Sequence, residues 1–272
     1  MSMTSGQEAT VRLATSKGIG TSNRVVVFLG ALGTHRQMWV PQLLGVTTSG
    51  VSAIAVDLRG QGESPVPEGP YSVHLMAQDV LESLDTLGVG DLDVVGLSLG
   101  GAVAQEIALQ ASSRVRTLTL ISTSSRFGDQ ATWTERAAKV RAQGLEPLVD
   151  ALPGRWLTDE TCAKRPHVLD EVRQMFLDTP VEGYASSCEA LARWDRTAEL
   201  SDIEAPTLVV TGAQDPSTTP QSMEAMVARI PKAEHVLIEG SAHLVNVEKP
   251  QQLTNAILRH LRVADSASER RQ

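Results

Sequence analysis

Apolar residues along the chain fall into short β-branched runs separated by longer stretches in which they recur every three or four positions. The runs are Arg24 to Leu29 (RVVVFL), Ser52 to Val56 (SAIAV), Leu92 to Val95 (LDVV) and Arg116 to Ile121 (RTLTLI), and then, much later, Pro206 to Thr211 (PTLVVT) and His235 to Ile238. Runs this short and this rich in Val, Ile and Thr read as buried strands. Strands that alternate with helical stretches form a parallel sheet with helical crossovers. Val73, Met76, Val80, Leu84 and Leu87 make one apolar helix stripe, with Ser72 as its N-cap and Gly88 as its stop. Further helices are expected over Ala102 to Gln110, around Gln221 to Ile230 and from Pro250 to Leu261.

The rhythm breaks after Ile121. The residues before Pro206 number about 80, too many for a loop, and carry helical patterns over Thr134 to Gln143 and His167 to Phe176, interrupted by Pro153-Gly154 and Pro180. The reading is a single α/β core over 1–122 and 205–264, a helical lid inserted over 123–204, and a tail over 265–272 with nothing to bury, expected to lack order.

Composition narrows the partners. Against 24 Lys and Arg stand 32 Asp and Glu, a net charge of −8, which argues against nucleic acid or an anionic membrane as partner. No apolar run approaches the roughly 18 residues of a membrane span, and the polar start Met1 to Thr10 lacks the pattern of a secretory signal. Cys162 and Cys188 have neither zinc-like spacing nor a disulfide framework and read as reduced thiols of a cytoplasmic protein. No HExxH or clustered ligand set suggests a metal, and no cofactor is expected.

The candidate chemistry begins with Gly96-Leu97-Ser98-Leu99-Gly100. G-x-S-x-G is weak alone, but here a buried strand precedes it and a helix follows, the context of a nucleophile presented at the end of an α/β-hydrolase sheet. A serine hydroxyl needs a histidine to take its proton, and that histidine needs an acid to hold its tautomer. In this fold their order is Ser, acid, His. Asp215 follows the strand Pro206 to Thr211, and its alternative role is an Asx turn before Pro216. His243 follows the strand His235 to Ile238 in a loop of small residues. The other histidines are placed less well: His35 in the loop after the first run, His74 and His260 in helices, His167 in the insertion, His235 at a strand's start. Leu99 N–H at the helix start and Leu32 N–H in Gly30-Ala31-Leu32-Gly33-Thr34 are the expected oxyanion donors.

Beyond these residues the chain resembles the 3-oxoadipate enol-lactonases. The likeness is carried by Leu32-Gly33-Thr34, Met38-Trp39, Pro41-Gln42, Asp57 to Ser64 (DLRGQGES), Gly96 to Gly101 (GLSLGG), Ser125 to Gly128 with Trp133, Glu182-Gly183-Tyr184, Cys188 to Leu191, Trp194-Asp195, Gly240 to His243 and Asn246 to Glu248. It covers most of 24–262. It implies an α/β-hydrolase fold and hydrolysis of a small carboxylate-bearing enol-lactone in aromatic catabolism. The chain departs from that family in its Gly30-Ala31 pair, in Gln61, which stands where the family usually has His, and in a reduced N-terminal hairpin. For an anionic lactone or ester the insertion offers Arg126 and Arg136 as carboxylate partners and Trp133 and Trp194 as pocket walls. Their alternative roles are a solvated lid face and packing between lid helices. A carboxylesterase, another lactonase or a cofactor-free perhydrolase would share the triad; a non-catalytic binding protein would not need it.

Overall fold

A computed structural model describes residues 9–269. The core strands are β1 (Thr15–Gly18), β2 (Val25–Leu29), β3 (Ser52–Val56), β4 (Leu92–Leu97), β5 (Val115–Ile121), β6 (Thr207–Gly212) and β7 (Ala233–Ile238). They form one sheet in the order β1-β3-β2-β4-β5-β6-β7, parallel except for β1, which pairs antiparallel with β3. β4 and β6 are buried along their whole length, as continuous apolar runs demand in a sheet covered on both faces.

The core helices are α1 (Val40–Thr48), α2 (Val73–Thr86) and α3 (Leu99–Gln110), and, after the insertion, α9 (Pro220–Val227), α10 (Val245–Glu248) and α11 (Pro250–Glu269). α2 starts where its sequence says: the Ser72 hydroxyl accepts from Leu75 N at 3.1 Å. Between β5 and β6 lie α4 (Gln130–Gln143), α5 (Glu146–Val149), α6 (Asp159–Lys164), α7 (Pro166–Leu177) and α8 (Val181–Ala192). α4 and α8 are tied by Arg141, whose guanidinium bonds both Glu182 and Glu189.

α11 runs past the expected stop at Leu261. No Gly or Pro interrupts 251–269, so nothing ends the helix whose Leu253, Ile257 and Leu261 are buried. The stretch expected to lack order is therefore helical to Glu269, and 270–272 lie outside the described residues.

Because the strands are parallel, the loops after β2, β4, β6 and β7 all emerge at the same carboxyl edge of the sheet, where open α/β sheets bind ligands. Each candidate residue of the core sits in one of those four connections.

Candidate active site

β4 hands the chain directly to α3, so a single residue, Ser98, turns the corner. Its φ of 56° and ψ of −115° belong to a region that L-residues rarely occupy, where strain persists only if the surroundings impose it. The flanking glycines are steric requirements. A Cβ on Gly96 would stand 2.2 Å from the Gly100 carbonyl oxygen, and one on Gly100 would stand 2.2 Å from that of Leu29. Ser98 N donates to Ile121 O at 3.0 Å, Thr123 Oγ1 donates to Ser98 O at 2.7 Å, and Gly100 N donates to Gly30 O at 2.9 Å. The last bond joins the serine turn to the loop after β2.

The loop after β6 folds Asp215 back on itself. Its Oδ1 accepts from Ser217 N at 2.8 Å and Thr218 N at 3.1 Å, an Asx-type turn, while Oδ2 accepts from Thr218 Oγ1 at 2.6 Å and meets His243 Nδ1 at 2.8 Å. The two roles open to Asp215 thus coexist, one on each oxygen. Burial by itself would raise this carboxyl; the facing imidazole and the donors from Thr218 and Ser217 outweigh it and hold it below the usual carboxylate range. Asp215 and His243 are both buried. With Nδ1 turned to the acid, Nε2 of His243 is the nitrogen left to act elsewhere. No hydrogen bond joins it to Ser98 in this structure, although both residues line one cavity.

The loop after β2 is organised by Gln61. Its buried side-chain oxygen accepts from Gly33 N at 2.7 Å and Thr34 N at 3.3 Å, and Thr34 Oγ1 donates to Ala31 O at 2.8 Å. Leu32 N–H and Leu99 N–H are left without an acceptor among the described residues. Buried amides without partners are costly unless something else occupies them.

The cavity measures about 490 Å³ and is walled by Leu32, Ser98 and His243 on the core side and by insertion residues on the other. Arg126, Trp133 and Arg136 line it, and so do Arg155, Trp156 and Tyr184. The Arg136 guanidinium lies 4.9 Å from the Trp133 ring centroid. Burial lifts the Tyr184 phenol above its ordinary value, and a hydrogen bond and charge from Arg136, with the charge of Arg155, oppose that rise. Neither arginine meets a carboxylate among the described residues. Asp129, the acid in the wall, accepts from Thr132 N at 3.1 Å as the cap of α4. Two arginines of this cavity thus lack acid partners among the described residues, in a chain of net charge −8.

Residues 24–250 match the family model of the α/β-hydrolase fold. The chain belongs to the α/β-hydrolase family. Among curated relatives, 3-oxoadipate enol-lactonase 2 of Acinetobacter baylyi is 33% identical over 232 residues, 85% of this chain and 86% of that protein. Among solved structures, the enol-lactonase from Burkholderia xenovorans LB400 superposes with a TM-score of 0.89 at 31% identity, covering 93% of this chain and 98% of that one. A malate-bound thermophilic esterase from Thermogutta terrifontis gives the same TM-score at 30% identity, covering 95% of this chain and 99% of that one. This α/β hydrolase is thus a hydrolase by family, and none of its described helices is long and apolar enough to cross a membrane.

Within this α/β hydrolase, one expected wall residue is elsewhere. Trp194 does not line the cavity: its ring is buried beneath the Arg196 guanidinium, 5.3 Å from the centroid, and borders a separate hollow. An isolated antiparallel bridge pairs Arg126 with Asp195, the residue after Trp194. Arg126 itself is 65% exposed and leans toward Asp195. Arg155, Trp156 and Tyr184 are the wall residues that the sequence pattern does not single out. Arg155 and Trp156 follow Pro153-Gly154 in a turn without periodicity, and Tyr184 stands out only as part of the family likeness.

Proposed function

We propose that this hydrolase opens a small carboxylate-bearing enol-lactone, 3-oxoadipate enol-lactone to 3-oxoadipate in the catabolism of aromatic compounds, through an acyl-enzyme. The observation that carries the reading is the meeting, at one cavity, of Ser98, the imidazole of a buried Asp215–His243 pair and the acid-free guanidiniums of Arg136 and Arg155. Relatives named for this lactone, at 33% identity over most of the chain, support the choice of substrate.

In this reading Ser98 Oγ attacks the lactone carbonyl while His243 Nε2 takes its proton, and Asp215 Oδ2 holds the Nδ1–H and stabilises the imidazolium. A hydrogen bond between nucleophile and base commonly tightens only in the substrate complex. The free N–H groups of Leu32 and Leu99 receive the oxyanion, each worth about 3 kcal/mol in the transition state. Collapse breaks the ring C–O bond. The released enolate oxygen is protonated by His243 and tautomerises to the ketone, and His243 then activates water to hydrolyse the Ser98 ester. Arg136 and Arg155 hold the substrate carboxylate, with Trp133 and Trp156 as the walls of the slot.

The test is product analysis with the enol-lactone beside neutral esters of similar size, for the parent and for Ser98→Ala. The parent is expected to prefer the lactone and Ser98→Ala to lose turnover while keeping its melting temperature. Lactone turnover by Ser98→Ala at the parent rate would refute the reading.

A further inference from the structure

Glu248, in the short helix after the His243 loop, is only 4% exposed, and no Lys, Arg or His among the described residues pairs with its carboxylate. A buried carboxylate without a cation is expensive unless its oxygens are fully used by donors. Here they are used by two separate parts of the molecule. Oε2 accepts from Ala242 N at 2.5 Å, while Oε1 accepts from both Thr158 N and Thr158 Oγ1 at 2.8 Å.

One of these donors lies next to the histidine. Ala242 precedes His243. Leu244 follows it and donates its N–H to Trp156 O at 2.9 Å. The residues on both sides of His243 are therefore tied through their N–H groups to the insertion segment 156–158, Leu244 directly and Ala242 through Glu248. That segment is rigid in its own right: Thr158 caps α6 by accepting from Thr161 N at 3.1 Å, and the Trp156 ring meets Phe176 edge-on at 5.5 Å. It also carries Trp156 into the cavity wall, next to Arg155.

We propose that Glu248 is a positioning residue that fixes His243 relative to Ser98 by locking the histidine loop to the cavity wall of the insertion; the proposal rests on the reading of His243 as the proton acceptor. A carboxylate suits the place because all three partners are donors. An amide would turn an NH2 toward Ala242 N or Thr158 N, break one link and let the histidine loop relax. The insertion is then part of the catalytic geometry as well as a cover for the substrate, and damage to the lock lowers kcat on any ester, whatever its charge.

The test compares the full-length parent with Glu248→Gln and Thr158→Val, using 3-oxoadipate enol-lactone and the neutral ester p-nitrophenyl acetate, together with the low-field proton NMR signal of the His243 Nδ1–H. Glu248→Gln is expected to lower kcat by about 10²-fold on both substrates, the scale of a misplacement of about 1 Å, with KM changed by less than about threefold. Thr158→Val, which removes one donor of three, is expected to lower kcat by about 10-fold or less but more than twofold. In Glu248→Gln the low-field signal shifts or broadens, a change that a loss of stability elsewhere does not produce. Folded Glu248→Gln with kcat within twofold of the parent and an unmoved signal overturns the proposal. If Glu248→Gln does not fold, Thr158→Val decides: kcat within twofold of the parent overturns it. A parent inert on both substrates refutes the proposed function instead, and the NMR signal alone then decides the positioning role, an unmoved signal again overturning it.

Discussion

Oδ2 of Asp215 accepts two hydrogen bonds at once, from Thr218 Oγ1 at 2.6 Å and from His243 Nδ1 at 2.8 Å, while Oδ1 is held by two backbone amides. The carboxylate cannot rotate without breaking all four, so the imidazole is offered one tautomer and one orientation. Asp215→Asn is expected to lower kcat by about 10⁴-fold, because an amide facing Nδ1 favours the wrong tautomer. Thr218→Val, which leaves the amide donors in place, is expected to cost about 10-fold. Steady-state kinetics on folded variants check both, and a loss below 10-fold for Asp215→Asn would be incompatible with the assigned role.

Gln61 reaches the same chemistry from the other side, through Gly33 and Thr34. Gln61→Leu leaves two backbone N–H groups of the loop after β2 without an acceptor. Stability is expected to fall by about 1–3 kcal/mol, and kcat to fall with it by about 10-fold or more as Leu32 N–H loses its aim. Thermal melts and kinetics run on the same samples separate the two effects.

Arg136 and Arg155 make a charge-specific prediction. Replacing either by Met is expected to raise KM for the anionic lactone by about 10-fold or more, the value of a charge-assisted hydrogen bond, and to leave KM for a neutral ester within about twofold. Equal losses on both substrates would place the arginines in the wall without a role in carboxylate recognition.

The insertion has its own pH signature. Hydrogen bonds from Arg141 and Ser186 bring the Glu182 carboxyl down to about 2, against the smaller opposing effect of burial. A carboxyl lowered on folding contributes stability that is complete above its unfolded value of about 4.3 and is lost as pH falls toward the folded value. The Glu182 side chain is 39% exposed, so solvent screening limits the contribution to about 1 kcal/mol or less. Glu182→Gln is expected to melt about 2–3 °C or less below the parent at pH 7, with the gap narrowing as the pH falls from about 4 toward about 2 and in 1 M salt. A gap that is independent of pH and salt would assign it to packing instead.

Local pattern made much of this legible in advance. β3 has the bounds its SAIAV run suggests, α2 begins at the Ser72 cap, and Ser98, Asp215 and His243 follow strands that end at one edge of the sheet. What escaped the pattern depends on distant partners. β1 is four mostly polar residues, a strand only because β3 pairs with it. Arg155 and Trp156 sit in a turn held by Leu244 and, through Glu248, by Ala242, about 90 residues away in sequence, and no periodicity records such bonds. Trp194 reads equally as a pocket wall and as packing between lid helices, and the structure buries its ring under the Arg196 guanidinium.

In the proposed reaction Ser98, served by His243 and Asp215, opens a small anionic enol-lactone held by the insertion's arginines. The most direct measurement is kcat/KM of the parent for 3-oxoadipate enol-lactone against a neutral ester of equal size, with Ser98→Ala as control. A preference for the lactone of about 10²-fold or more, set by the carboxylate contacts, is expected, with no turnover by the variant. Equal or better turnover of the neutral ester, or lactone hydrolysis that survives the loss of Ser98, would contradict it.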